Sequence, residues 1–218
     1  MNFHLVSTYQ KPYIAIMDGL TMGGASVFSI AGKYKIATER TVYAMPETVI
    51  GFFNDAGASY FLSRLRYDIG IYIGMTAERL KGFDVKKVGL ASHYVESKRL
   101  EDLEKALLEC KTDEEIGKAI AKHSSVPTST ETELDLVLNS IDKCFDGETV
   151  EEIMENLHLD GSEWAMNTIR TLNKLSPTSL KVTHRCMTLG KKMSLEDCLK
   201  MEFRVGQHHS GDKGPKRG

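Results

Sequence analysis

Tyr13-Ile-Ala-Ile-Met17 is a continuous apolar run, preceded by Lys11-Pro12 and followed by Asp18-Gly19. Such a run predicts a short strand buried on both faces, as in a parallel sheet. Asp18-Gly19 and Thr21-Met-Gly-Gly24 read as a turn, and the small and apolar residues from Ala25 to Ala31 as a tightly packed helix. Tyr34–Thr38 and Val42–Met45 read as further strands, and Ala56–Leu65 as a helix. Strand, glycine turn, helix, strand is a βαβ pattern, so residues 1–97 are expected to form an α/β core.

The period then changes. Leu100, Leu103 and Leu107 recur at helical spacing, as do Leu134, Val137, Leu138 and Ile141. Thr112-Asp-Glu-Glu115 and Thr149-Val-Glu-Glu152 are capping boxes, in which a Thr hydroxyl accepts from a first-turn N–H and the later Glu answers. Ser176-Pro177 opens another helix, because proline at the first helical position gives up no intrahelical bond. Residues 98–205 are therefore expected to be a helical C-terminal region, with the polar, β-branched stretch Ser124–Thr132 as its loop or sub-domain border. Residues 206–218 carry almost no apolar side chain, which predicts a disordered tail.

Composition narrows the function classes. The 218 residues are 41% hydrophobic and 27% charged, enough for one or two compact units with a substantial core. A net charge of −2 argues against bulk electrostatic binding to nucleic acid. No apolar run approaches the ~18–20 residues needed to span a bilayer. Cys110, Cys144, Cys186 and Cys198 are widely spaced without a CxxC pair, and the histidines lack metal spacing. Free thiols, no metal site and a reduced intracellular compartment are expected. The first ten residues have no signal-peptide pattern and read as the end of a helix. The expectation that follows is a fragment or an alternative product, with the N-terminal half of a larger domain missing.

The candidate chemistry sits in the α/β part. Gly23-Gly24 at a strand–helix turn reads structurally as a left-handed turn with close helix approach, and functionally as a backbone N–H from Gly24 aimed at an oxygen that gains charge. It is neither GxGxxG nor a P-loop. Glu47 follows Pro46 and is surrounded by Val49, Ile50, Phe52 and Phe53, which predicts partial desolvation and a raised pKa suited to proton transfer. Asp55 reads equally as the N-cap of the next helix or as a second site carboxylate. The charges of Lys98–Glu109 read as a solvated helix face, Trp164 as a packing anchor, and Lys86-Lys87 and Lys191-Lys192 as surface lysines.

Taken together, Lys11-Pro-Tyr-Ile-Ala, Thr21-Met-Gly-Gly, Ala44-Met-Pro-Glu-Thr, Gly51-Phe-Phe-Asn-Asp and Ser176-Pro-Thr-Ser-Leu-Lys resemble the crotonase (enoyl-CoA hydratase/isomerase) superfamily, and within it the 3-hydroxyisobutyryl-CoA hydrolase branch. The resemblance implies α/β topology, a partial ββα superhelical spiral followed by a mostly helical region. It implies hydrolysis of 3-hydroxyisobutyryl-CoA to coenzyme A and 3-hydroxyisobutyrate in mitochondrial (matrix) valine breakdown. In that reading Gly24, with Gly23, matches the oxyanion-hole glycine, Glu47 the catalytic glutamate and Asp55 a second acidic substrate-site residue. Coenzyme A is part of the acyl-CoA substrate, so no separate cofactor or metal is implied. A homo-oligomer is compatible, since helical C-terminal regions in this superfamily often pack between subunits. The family's other oxyanion donor and its closing segment fall outside this pattern, and Ala25 stands where many relatives carry a third glycine. Two other readings stay open: an enoyl-CoA hydratase or isomerase, and a shortened chain acting as a binding or regulatory remnant.

Overall fold

Short parallel strands and intervening helices occupy the N-terminal part of the sequence, as the apolar runs require. The computed structural model describes residues 2–211, with side chains described from 4 to 208. Helix α1 (Asn2–Ser7) precedes β1 (Ile14–Met17). Leu20–Met22, expected as part of a turn, is a strand, β2. Helix α2 (Gly24–Ile30) follows, then β3 (Tyr34–Ala37) and β4 (Val42–Ala44). The helix expected over Ala56–Leu65 is the short α3 (Ala58–Phe61) continued by a 3₁₀ turn at Leu62–Arg64. Then come α4 (Ile69–Thr76), β5 (Leu80–Lys81), α5 (Phe83–Lys87) and β6 (His93–Tyr94). From there the described residues are helical: α6 (Leu100–Leu108), α7 (Asp113–His123), α8 (Glu133–Phe145), α9 (Val150–Asp160), α10 (Glu163–Leu172), α11 (Pro177–Gly190) and α12 (Leu195–Gly211).

The helix starts follow their local chemistry. At α7 the box is complete: Glu115 N donates to Thr112 Oγ1 at 3.2 Å and Thr112 N donates to Glu115 Oε2 at 3.0 Å. At α9 only half forms as expected. Glu152 N donates to Thr149 Oγ1, but the Glu152 carboxylate accepts from Glu148 N at 2.8 Å. Ser176 caps α11, with Pro177 in its first turn. The segment from Gly206 to Gly211, expected as tail, continues α12, while 212–218 lie outside the described residues.

The chain divides into two interleaved compact units, residues 1–44 with 79–138, and residues 45–78 with 139–218. This grouping differs from a linear division at 97/98, which follows the change in secondary structure. In the first unit β1, β3 and β6 form a parallel sheet in that spatial order, with Ile16 opposite Ile36 and Ile36 opposite His93. In the second sheet of this unit, β4 lies between β2, parallel, and β5, antiparallel. Ile36, Val95, Leu100, Leu103 and Ile120 form its core, so the apolar stripe of α6 is buried while its charges face outward. Lys87 Nζ donates to Thr130 O at 2.7 Å and to Asp135 Oδ2 at 2.5 Å, and lies 3.6 Å from Asp84 Oδ1. One shielded ammonium thus fastens the irregular stretch 124–132 to α5, and Lys87 is not the solvated surface lysine expected.

In the second unit α4 is buried almost throughout. Tyr72 packs edge-on to Phe145, their ring centroids 5.2 Å apart, and Trp164 Nε1 donates to its hydroxyl at 3.4 Å, so Trp164 is a packing anchor. All four cysteines are free thiols, three of them buried.

Candidate active site

The glycine turn belongs to the first unit. Gly23 has φ 60° and ψ −148°, a region essentially confined to glycine. Its N–H donates to Ala44 O at 3.0 Å and its carbonyl accepts from Ser26 N at 2.8 Å and Ser26 Oγ at 2.7 Å. Those bonds hold the turn from both sides. Gly24 follows as the first residue of α2; it is exposed, and a Cβ placed there would meet nothing within 4 Å. Its amide has no partner among the described residues. Gly23 shapes the turn, and Gly24 opens the helix that follows it.

The carboxylates belong to the second unit. Pro46 ends the run after β4, and Glu47–Ile50 forms a 3₁₀ turn closed by Gly51 at φ 75°. Phe52 N donates back to Glu47 O at 2.9 Å, and Thr48 Oγ1 donates to Met75 O at 3.1 Å, anchoring the turn to α4. Glu47 is 7% exposed. Asn54 Nδ2 donates to Glu47 Oε2 at 2.7 Å. A carboxylate oxygen only accepts, so the amide nitrogen must face it. Burial raises the Glu47 pKa above its ordinary value; its own backbone N–H and Asn54 oppose that rise, and the negative charge of Asp55 adds to it. Burial also raises the Asp55 pKa, with its own backbone N–H opposing.

Asp55 is not the N-cap of α3. That position is Gly57 at φ 98°, with no side-chain cap bond of its own. Glu202, from α12, takes the role instead: its carboxylate accepts from Gly57 N at 2.6 Å, from Ser59 N at 2.9 Å and from Ser59 Oγ. Burial raises the Glu202 pKa, the Ser59 hydroxyl and the Gly57 and Ser59 amides lower it, and Asp55 raises it further.

Glu47, Asn54 and Asp55 thus lie in one unit, where Asn54 bonds Glu47 and the charge of Asp55 adds to the rise in the Glu47 pKa. Such a pair suits nucleophilic or general-base attack on an acyl carbon, with proton transfer nearby. Asn54 and Glu202 carried no role in the sequence. Asn54 is a polar amide beside Phe52 and Phe53, a signal that could have been read. Glu202 lies in a charge-rich helix and gives no local sign of burial.

Two cavities lie elsewhere. One of about 450 Å³ in the first unit is lined by residues including Tyr9, Lys11 and Lys33, and one of about 360 Å³ in the second by residues including Met154, Leu172 and Leu180. Neither is lined by Gly24, Glu47 or Asp55. Among the described residues no group of three or more His, Cys, Asp or Glu is placed to hold a metal ion, and no helix is long and apolar enough to cross a membrane.

Comparison with known proteins identifies the family. Residues 2–214 match the enoyl-CoA hydratase/isomerase family. The chain is 44% identical over 207 residues to the mitochondrial 3-hydroxyisobutyryl-CoA hydrolase of Xenopus laevis, covering 93% of this chain and 54% of that protein. It is 42% identical to the Homo sapiens protein of the same name, with the same coverage. The chain spans about half the length of the curated relatives it matches. Among solved structures, a carnitinyl-CoA dehydratase from Mycobacterium thermoresistibile aligns with TM-score 0.87 and 31% identity over 97% of this chain and 61% of that one. An enoyl-CoA hydratase from Rhodobacter sphaeroides aligns with TM-score 0.79 and 26% identity, covering 95% and 59%. Motif, topology and similarity over nearly the whole chain converge: this is a member of the enoyl-CoA hydratase/isomerase, or crotonase, family.

Proposed function

We propose that this chain carries the acid/base half of a CoA-thioester hydrolase that converts 3-hydroxyisobutyryl-CoA to coenzyme A and 3-hydroxyisobutyrate, and that it works in mitochondria, as the names of its relatives indicate. The observation that carries the reading is the buried Glu47 carboxyl, held by Asn54, beside a second raised carboxyl at Asp55.

Two routes fit. In the first, a Glu47 oxygen attacks the thioester carbon, the C–S bond breaks to expel the CoA thiolate, and water hydrolyses the mixed anhydride. In the second, Glu47 takes a proton from water, whose oxygen attacks the same carbon with loss of the same thiolate. In the first unit, taken by itself, the resemblance gives Gly24 N–H the part of a donor to an oxygen that gains charge, with Gly23 holding the turn. Asp55 anchors the acyl hydroxyl or moves protons. A thiolate is a good leaving group, so no strong acid at sulfur is needed, and coenzyme A enters only as part of the substrate.

The test is free-thiol release from 3-hydroxyisobutyryl-CoA by this chain and by a form lengthened to the span of its relatives, beside hydration of crotonyl-CoA. Thiol release that Glu47→Gln abolishes while thioester binding persists supports the reading. Alkene hydration without thiol release, or undiminished release by Glu47→Gln, overturns it.

A further inference from the structure

We propose that Glu202 is a positioning residue for Asp55: by taking over the cap of α3, it holds the turn at residues 55–59 and leaves the Asp55 carboxyl available beside Glu47. The inference rests on reading Glu47 and Asp55 as the reacting pair.

Four observations carry it. Glu202 is 3% exposed, and a buried carboxylate is tolerated only where donors replace its water. All three donors it meets lie in the one turn, two backbone amides and the Ser59 hydroxyl, so that turn is where its charge is spent. The turn is one a chain leaves readily, because Ala56, which has a Cβ, sits at φ 58° and Gly57 at φ 98°. Finally, a local Asp is the ordinary cap for such a helix start, yet Asp55 does not act as one. A carboxylate from 143 residues downstream caps Ser59 instead. The α12 face that brings it continues one turn on, where a Cβ at Gly206 would lie 3.9 Å from Phe53 Cζ. The C-terminal helix therefore backs the whole segment from Phe53 to Ser59.

The experiment is a double-mutant cycle with Glu202→Gln and Asp55→Asn, read as thioester turnover in the chain lengthened to the span of its relatives, alongside Glu47→Gln. Glutamine keeps the volume but sets an NH₂ group against an N–H donor. Glu202→Gln is expected to lower kcat by about 10-fold or more with KM within about 2-fold. The double variant is expected to be no slower than Asp55→Asn alone, because a residue acting through another adds nothing once that one is gone. Multiplied losses, or an unchanged kcat in Glu202→Gln, overturn the proposal. Independently of turnover, the Gly57 and Ser59 amides should lose hydrogen-exchange protection in Glu202→Gln, and retained protection also overturns it. Should Glu202→Gln fail to fold, Ser59→Ala, which removes one donor, gives the same cycle with a smaller loss. Undiminished turnover in Glu47→Gln would instead refute the hydrolase reading and leave the exchange result to decide this one.

Discussion

Asn54 donates from Nδ2 to Oε2 of Glu47 at 2.7 Å, while its own buried Oδ1 has no hydrogen-bond partner among the described residues. The first contact is charge-assisted and worth about 1.5–3 kcal/mol; the second costs about 1–3 kcal/mol. The two nearly cancel, so this amide orients and tunes Glu47 more than it stabilises the fold.

Asn54→Ala is therefore expected to leave thermal stability within about 1 kcal/mol of the original. It is expected to move the acidic limb of kcat/KM to higher pH, because the bond it removes lowers the Glu47 pKa. A pH–rate profile beside a melting curve checks both halves. An unmoved limb would show that Asn54 does not tune the carboxylate.

Replacing Glu47 by Gln should stabilise the protein while abolishing turnover. The folded-state pKa of Glu47 is raised, so the folded chain holds that proton more tightly than the unfolded chain. Stability then falls as pH rises from the ordinary glutamate value, ~4.3, to the raised one, and stays lower above it. Glu47→Gln escapes that loss: at pH 7 it should melt higher than the original, with the gain vanishing near pH 4. Calorimetry at both values decides it.

Asp55→Asn should act in the opposite sense to Asn54→Ala. The Asp55 charge adds to the rise in the Glu47 pKa, so removing it lets Glu47 ionise at lower pH and shifts the acidic limb down. If the limb stays where it was, the two carboxyls do not sense each other.

Gly74→Ala tests how closely α4 supports the site. A Cβ there would lie 2.3 Å from Met187 Cε and 2.9 Å from Asn54 Oδ1. The methionine end can swing away, but the amide is tied to Glu47, so the strain falls on that bond. A loss of about 1–3 kcal/mol and a lower kcat are expected. Normal turnover at reduced stability would confine the effect to packing.

Legibility in the sequence tracked the range of the interactions. The strand at Ile14–Met17, the capping box at Thr112 and the Pro177 helix start depend on neighbours within a few residues, and those could be read directly. Strand β2 could not, because three residues beside a glycine turn carry no period of their own. Helix α4 was hidden for another reason. It is apolar on every side and contains Gly70 and Gly74, so neither amphipathic spacing nor propensity marks it. At the site, the desolvation of Glu47 followed from its apolar neighbours, whereas the capping of α3 by Glu202 depends on a tertiary contact that no local pattern encodes.

Lys87 has a consequence for chemical labelling. Its amine is largely shielded and already engaged by Asp84, Asp135 and the Thr130 carbonyl, so acylating reagents should reach the open lysines first. Once that amine is neutralised, two ion pairs vanish together, and the stretch it clasps becomes the place where a protease gains entry.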